Sequence, residues 1–313
     1  MLNTPVALII FKRPKQTQQI FNAIRQAQPK QLFVIADGAR NPEEAEKCQQ
    51  TRDIIKQVDW DCQVYTNYAD QNLGCGVRVS SGITWVFELV EEAIILEDDC
   101  LPHPSFFPYC ETLLNYYRDD ERIMVITGNN FQGGKKRTPY SYYFSKYPHC
   151  WGWASWRRAW QHWDYKMSKW NEFRDFDLLK FVHEDPYEQK YWLRIFERMC
   201  VENPNDIWDY MWTFACWSQN GLTVLPNVNL VSNIGFGEDG THTFGDSPLA
   251  NMPTEDIGEI IHPPFVVQHK EADTFYFDHI LGGLAMKEAD TLKAKLRSLL
   301  GRVKGKLKRL IKK

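Results

Sequence analysis

Ala93-Ile94-Ile95-Leu96-Glu97-Asp98-Asp99 sets four apolar residues directly against three carboxylates. The apolar run is short and does not alternate, which reads as a strand buried on both faces. Three consecutive carboxylates at the end of such a strand repel one another and are costly unless a cation or hydrogen-bond donors offset them. A hard divalent ion, Mg²⁺ or Mn²⁺, held by one or two carboxylates and a diphosphate, answers that need. The competing reading is an acidic turn ahead of a helix, since Pro102 and Pro104 follow.

The segments around this one alternate in period. Short β-branched runs at 6–11, 31–36, 62–66 and 123–127 join 93–96 as expected strands. Polar stretches of helical length separate them, at 16–28, 43–57, 77–91 and 104–117. The pattern predicts an α/β fold with a mostly parallel sheet covered by helices on both faces. Ligands in such sheets sit at the carboxyl ends of the strands. The residues to inspect are therefore Lys12-Arg13, Asp37-Gly38, Asn72-Leu73-Gly74, Glu97-Asp98-Asp99 and Gly128-Asn129-Asn130. After residue 150 the character changes. Ten of the twelve tryptophans fall between Trp151 and Trp217, in a stretch expected to be mostly helical. A strand-like run at 222–231 and a glycine-rich loop at 235–242 follow.

Composition narrows the function. The chain has 313 residues, 43% hydrophobic and 25% charged, an ordinary globular mixture. Its net charge of −3 hides an asymmetry: residues 291–313 hold ten Lys or Arg and no acid. Ahead of them stand 27 basic and 40 acidic residues, a body of −13 that repels nucleic-acid backbones. In the tail Leu292, Leu296, Leu299, Leu300, Val303, Leu307, Leu310 and Ile311 follow a spacing of three and four among cations. That is the pattern of a basic amphipathic helix on an anionic membrane, with docking on the acidic body as the alternative. Eight cysteines show no Cys-x-x-Cys spacing, so neither a metal knuckle nor a disulfide framework is expected, only reduced and mostly buried thiols. No apolar run reaches the ~20 residues of a membrane span. Met1 leads into the first strand without a secretory signal, which gives the expectation of a cytoplasmic chain, peripheral on the inner face of the membrane.

Single residues carry further readings. Asp37 before Gly38 offers an acceptor to a base or ribose, or makes a turn. Arg13 before Pro14 places a guanidinium on a phosphate, or opens a helix. In Trp208-Asp209-Tyr210 a carboxylate stands among aromatic rings, where apolar surroundings would raise its pKa for proton abstraction; a buried helix-capping Asp is the alternative. Thr241 and His242 lie in the glycine-rich loop, where closure would bring them to a phosphate or metal.

In their order these landmarks resemble the nucleotide-sugar-dependent glycosyltransferases of the GT-A (Rossmann-like) fold, most of all the β-1,2-N-acetylglucosaminyltransferase I type. Glu97-Asp98-Asp99 with Pro104-Ser105-Phe106-Phe107 resembles that family's metal motif and its Pro-x-Phe-Phe tail. Phe11-Lys12-Arg13 is similar to its diphosphate-contacting Arg, and Ile35-Ala36-Asp37-Gly38 to its uracil-reading Asp. Thr127-Gly128-Asn129-Asn130 resembles its Asn-bearing strand end. Trp151-Gly152-Trp153 resembles the Gly-Trp opening its acceptor half, Trp208-Asp209 its sugar-packing Trp and catalytic base, and Gly240-Thr241-His242 its ordering loop. Arg78 falls near the family's nucleotide-contacting His, and Thr241 replaces its loop Ser.

The resemblance implies an inverting, single-displacement transfer from a nucleoside-diphosphate sugar, expected to be UDP-linked, but does not carry over the identity of donor or acceptor. The basic tail, if it lies on a membrane, points to a glycan or lipid-linked acceptor such as cell-envelope polysaccharide under assembly. The resemblance assigns the Mn²⁺ or Mg²⁺ to Asp99, hydroxyl contacts to Glu97 and Asp98, and the base to Asp209. The chain is expected to divide into a nucleotide-sugar-binding half at 1–130, an acceptor-binding half at 131–290 and the basic tail at 291–313. The competing functions are a sugar nucleotidyltransferase, which normally carries a glycine-rich loop where Lys12-Arg13-Pro14 stands, and a non-catalytic membrane-binding or glycan-binding protein.

Overall fold

The computed structural model describes residues 1–202, 204–236 and 247–293. Its strands are β1 (Val6–Ile10), β2 (Gln31–Ala36), β3 (Gln63–Tyr68), β4 (Glu92–Glu97), β5 (Cys100–Pro102), β6 (Ile123–Thr127), β7 (Tyr142–Ser145), β8 (Trp153–Trp156), β9 (Leu222–Pro226) and β10 (Val231–Asn233). The helices are α1 (Pro14–Ala27), α2 (Pro42–Asp53), α3 (Cys75–Leu89), α4 (Phe106–Tyr116), α5 (Arg157–Trp160), α6 (Trp170–Asp175), α7 (Leu179–Val182), α8 (Pro186–Glu202), α9 (Asp209–Ser218) and α10 (Lys270–His279). Residues 283–293 are also helical. None of the described helices is long and apolar enough to cross a membrane.

The protein is α/β, with an eight-stranded sheet in the order β3-β2-β1-β4-β8-β6-β9-β7. Six strands run one way; β8 and β7 run against them. Alternating side chains divide the core. Val6, Leu8 and Ile10 of β1 face the layer that holds Ile20 and Ile24 of α1 and Leu113 of α4. Ala7 and Ile9 face the layer of α3, α8 and α9, with Ile83, Phe196 and Trp212. Both faces are covered, so uninterrupted apolar strands are what this sheet requires. Helix α3 approaches closely because Gly82 has no side chain: a Cβ there would lie 2.5 Å from Ile35 Cγ2.

Several elements differ from the sequence reading. The tryptophan-rich stretch opens not as a helix but as β8, slotted antiparallel between β4 and β6. Trp153 and Trp156 lie on opposite faces of the sheet, where strand pairing overrides the helical tendency of the residues that follow. The run at 222–231 splits in two. Asn227 and Asn229 turn the chain by donating to the carbonyls of Thr138 (2.8 Å) and Val231 (2.9 Å), and β10 then pairs with β5 as a separate ribbon. Strand β7, unforeseen, closes the sheet edge. The third strand starts one residue late and runs to Tyr68, and the second helix ends at Asp53 in a 3₁₀ turn, Ile54–Gln57. The eight cysteines are free, but only four are fully buried.

A buried ionic cluster ties α8 to β7. Lys146 Nζ lies 3.1 Å from Glu188 and 2.6 Å from His183 Nδ1, and the Tyr147 hydroxyl donates to the same carboxylate. Removing one member leaves a buried charge unpaired. Glu188→Ala is therefore expected to cost about 3–5 kcal/mol in urea denaturation, whereas a comparable stability would show that the cluster contributes nothing.

Candidate active site

Strand register brings the expected ends together. Ile9 lies opposite Glu97, Ile10 opposite Ala36, and Ala36 opposite Tyr68, so β1, β2, β3 and β4 finish level at one edge. Above them opens a cleft of about 510 Å³. Arg13, Asp37, Arg78, Glu97, Asp98, Asp99, Trp208 and Asp209 all border it. Thr241 and His242 lie outside the described residues. Gly128-Asn129-Asn130 is not part of the wall: Asn130 Nδ2 donates to Pro226 O (2.7 Å) and braces β6 against β9.

The carboxylate triplet meets one guanidinium. Arg13 Nη1 donates to Asp98 Oδ1 (3.2 Å) and Asp99 Oδ2 (2.7 Å), and the Phe11 amide donates to Asp98 Oδ2 (3.2 Å). Pro14, at the first helical turn, sets the direction in which α1 leaves this contact. Burial pushes Asp98 up to about 7 against the pull of Arg13. Burial, then the charges of Asp99, Asp98 and Asp209, push Glu97 well above the usual carboxylate range. Burial works against the charge on Arg13, yet Asp98 and Asp99 hold its pKa above the ordinary value. Among the described residues Arg13 is the one cation that hydrogen-bonds this triplet, and it reaches Asp98 and Asp99 while burial holds Glu97 toward its protonated form.

This donor set suits a hard divalent ion bound jointly with a ligand. Among the described residues no three His, Cys, Asp or Glu side chains could hold an ion by themselves. Asp99 could supply one of the one or two carboxylates that Mg²⁺ commonly takes beside phosphate oxygens. Gly235 crosses directly over this carboxylate: a Cβ there would lie 2.2 Å from Asp99 Oδ2. Asn233 Oδ1 fixes the crossing by accepting from the Gly235 amide (2.9 Å), and the Ile234 amide donates to Asp99 O (2.8 Å).

On the opposite wall the chain is held by α3. The amides of Gly76 and Val77 donate to Asn205 O (2.8 and 3.3 Å), and a Cβ on Gly76 would lie 2.5 Å from Ile207 O. Trp208 is buried, its ring 5.9 Å from that of Trp153 and inclined by 25°. Asp209 follows in the first turn of α9. It is exposed and Trp208 holds the N-cap position, so it is neither enclosed in an aromatic wall nor a buried cap. The adjacent rings pack into the core and leave the carboxylate outside.

Two of the expected nucleotide contacts are committed to their own chain. Asp37 accepts from the amides of Gly38 (2.9 Å), Leu73 (2.9 Å) and Gly74 (3.2 Å) and from Asn72 Nδ2 (3.0 Å). Those bonds occupy the roughly four acceptor positions of a carboxylate, so a base N–H must displace one. Arg78 is buried and donates to Ala36 O (3.1 Å) and Asn67 Oδ1 (2.9 Å), tying α3 to the ends of β2 and β3.

The sequence reading missed several lining residues. Arg40 is one of them: it shares Glu44 with the foreseen Lys12, and both stand on the Phe11 ring, each 5.6 Å from its centre. Cys75 and Cys150 reach the cleft with thiols pushed up first by burial and then by surrounding carboxylates, Asp209 among them in both cases. Lone cysteines carry no spacing signal, and an Arg in a polar loop carries none either.

No family model and no curated protein matches the chain. Among solved structures it is similar to a UDP-glucose pyrophosphorylase complexed with UDP-glucose, over 46% of this chain and 62% of that one, with 12% identity and a TM-score of 0.26. It is similar also to a 4-diphosphocytidyl-2C-methyl-D-erythritol synthase from Anaerococcus prevotii, over 51% of this chain and 74% of that one, with 8% identity and a TM-score of 0.30. The chain thus spans less than two thirds of the first of these structures.

The contact of Arg13 with Asp98 and Asp99 sets a testable expectation. Arg13→Ala leaves Asp98 and Asp99 facing each other and is expected to cost about 3 kcal/mol. Millimolar Mn²⁺ should restore much of the lost melting temperature. Failure of the ion to stabilise this variant more than the wild type would show that the triplet does not attract a cation.

Proposed function

We propose that the chain is a metal-dependent glycosyltransferase that moves a sugar, with inversion, from a UDP-linked nucleotide sugar to a glycan or lipid-linked acceptor. The observation that carries this reading is the pairing of two carboxylate sites in one cleft. Asp99 lines the cleft beside Arg13 and is assigned to the diphosphate end; Asp209, exposed at the start of α9, lines the same cleft and is assigned to the acceptor hydroxyl. The charges of both reach Glu97 and help to raise its pKa.

Asp99 would hold the Mn²⁺ or Mg²⁺, which when bound stabilises the negative charge of the leaving nucleoside diphosphate as a Lewis acid. Arg13 lies beside Asp99 and binds the same phosphates with a guanidinium fork. Glu97 and Asp98 take sugar or ribose hydroxyls. Asp37 and Arg78 shape the nucleoside end, by holding loop 72–74 and the start of α3 in place. Trp208 gives the donor sugar an apolar edge. Asp209 takes the proton of the acceptor hydroxyl as its oxygen attacks the anomeric carbon, a role worth about 10²–10⁴-fold in rate. Thr241 and His242 are assigned to the loop that closes over the nucleotide. The basic segment 291–313 is assigned to an anionic membrane surface, where a lipid-linked acceptor resides.

Replacing Asp209 by Asn keeps the shape and removes the base. Turnover should fall by at least about 10²-fold, with Mn²⁺-dependent UDP affinity unchanged. Undiminished turnover, or loss of nucleotide binding together with turnover, would contradict the assignment.

A further inference from the structure

A loop at the β7 edge of the sheet leaves three apolar side chains in solvent. Ile261 is 55% exposed, Phe265 74% and Val267 69%, with Pro263 and Pro264 between them. Single exposed apolar residues need no explanation, but three within seven residues form a patch. The loop is anchored at both ends. The Ser141 amide donates to Ile261 O (3.0 Å), and the His269 amide donates to Phe144 O (2.7 Å). Under it lies a shallow cleft of about 390 Å³, walled by Tyr140, Tyr143 and Pro264.

A run of cations adjoins this loop. Lys135 Nζ and the Arg137 guanidinium each stand 5.0 Å from the centre of the Phe275 ring on α10. Arg137 O lies 3.1 Å from His269 Nε2, and Thr138 lines the cleft beneath Phe265. Among the described residues Lys135, Lys136 and Arg137 form no ion pair. Such a patch stands out on a body that carries −13. Helix α10 leads through Gly282 into residues 283–293, from which the basic tail departs.

We propose that loop 261–267 and the cations at 135–137 form a second contact with an anionic bilayer. Phe265 and Val267 enter the headgroup region, and Lys135 and Lys136 meet lipid phosphates. This rests on the reading of 291–313 as a membrane segment and extends it to the folded body. The charge of the patch selects anionic lipid over an apolar protein partner. One contact of either kind gives weak, reversible attachment, whereas two strengthen it and fix the orientation of the body.

Flotation with vesicles of phosphatidylcholine, alone or with about 30% phosphatidylserine, tests this on the full chain. One variant combines Phe265→Ser, Val267→Ser, Lys135→Glu and Lys136→Glu; the other combines Lys304→Glu, Lys306→Glu and Lys308→Glu. Each variant should lower partition onto the anionic vesicles by about tenfold or more. The loop variant should keep its melting temperature and its turnover of a soluble acceptor. Wild-type partition of the loop variant, with only the tail variant impaired, would overturn the second contact and leave the tail reading standing. Equal partition of wild type onto neutral and anionic vesicles would overturn it as well. Absence of wild-type binding would overturn both.

Discussion

The contact between Arg13 and the carboxylates of Asp98 and Asp99 fixes the rest of the cleft. It exists because β1 and β4 are neighbours in register, so the residues after Ile10 emerge beside those after Leu96. One guanidinium between two carboxylates holds the turn of β1 into α1 against the turn of β4 into β5. Arg13 offsets the third carboxylate, Glu97, only weakly, and burial keeps it toward its protonated form. A cluster in which burial works against carboxylate charge is suited to a cation that arrives with its ligand, because the cation would favour the ionised forms.

Elsewhere the cleft depends on close backbone approach rather than charge. Gly76 and Gly235 each stand where a side chain would collide, one with Ile207 O and the other with the Asp99 carboxylate. The tryptophan-rich layer beneath provides rigidity. Trp153, Trp160, Trp208 and Trp212 pack ring against ring, with centroids 4.9 to 6.5 Å apart. That packing ends at Trp208, and the next residue, Asp209, projects into the cleft at the start of α9. An apolar foundation thus positions a polar group without surrounding it.

Much of this was legible in the sequence. The strands at 31–36 and 123–127 fall where expected, and the strand ends gather Arg13, Asp37, Glu97, Asp98 and Asp99 as strand polarity requires. What was hidden depends on long-range pairing. The four residues of β8 become a strand only because β4 and β6 flank them, and no local period announces an antiparallel insertion. The surroundings of Asp209 were also hidden, because neighbours in sequence reveal which residues are aromatic but not which way they turn. Asp37 reads as a ligand contact from its position, whereas three amides and Asn72 occupy its oxygens.

The central claim is that Asp99 and a divalent ion together create the nucleotide site. Calorimetric titration of a UDP-sugar into the full chain, with Mn²⁺ and again after chelation, tests it most directly. Binding that requires the metal and vanishes in Asp99→Ala is the expected result. Binding of equal strength with and without the metal, unaltered in Asp99→Ala, would contradict it.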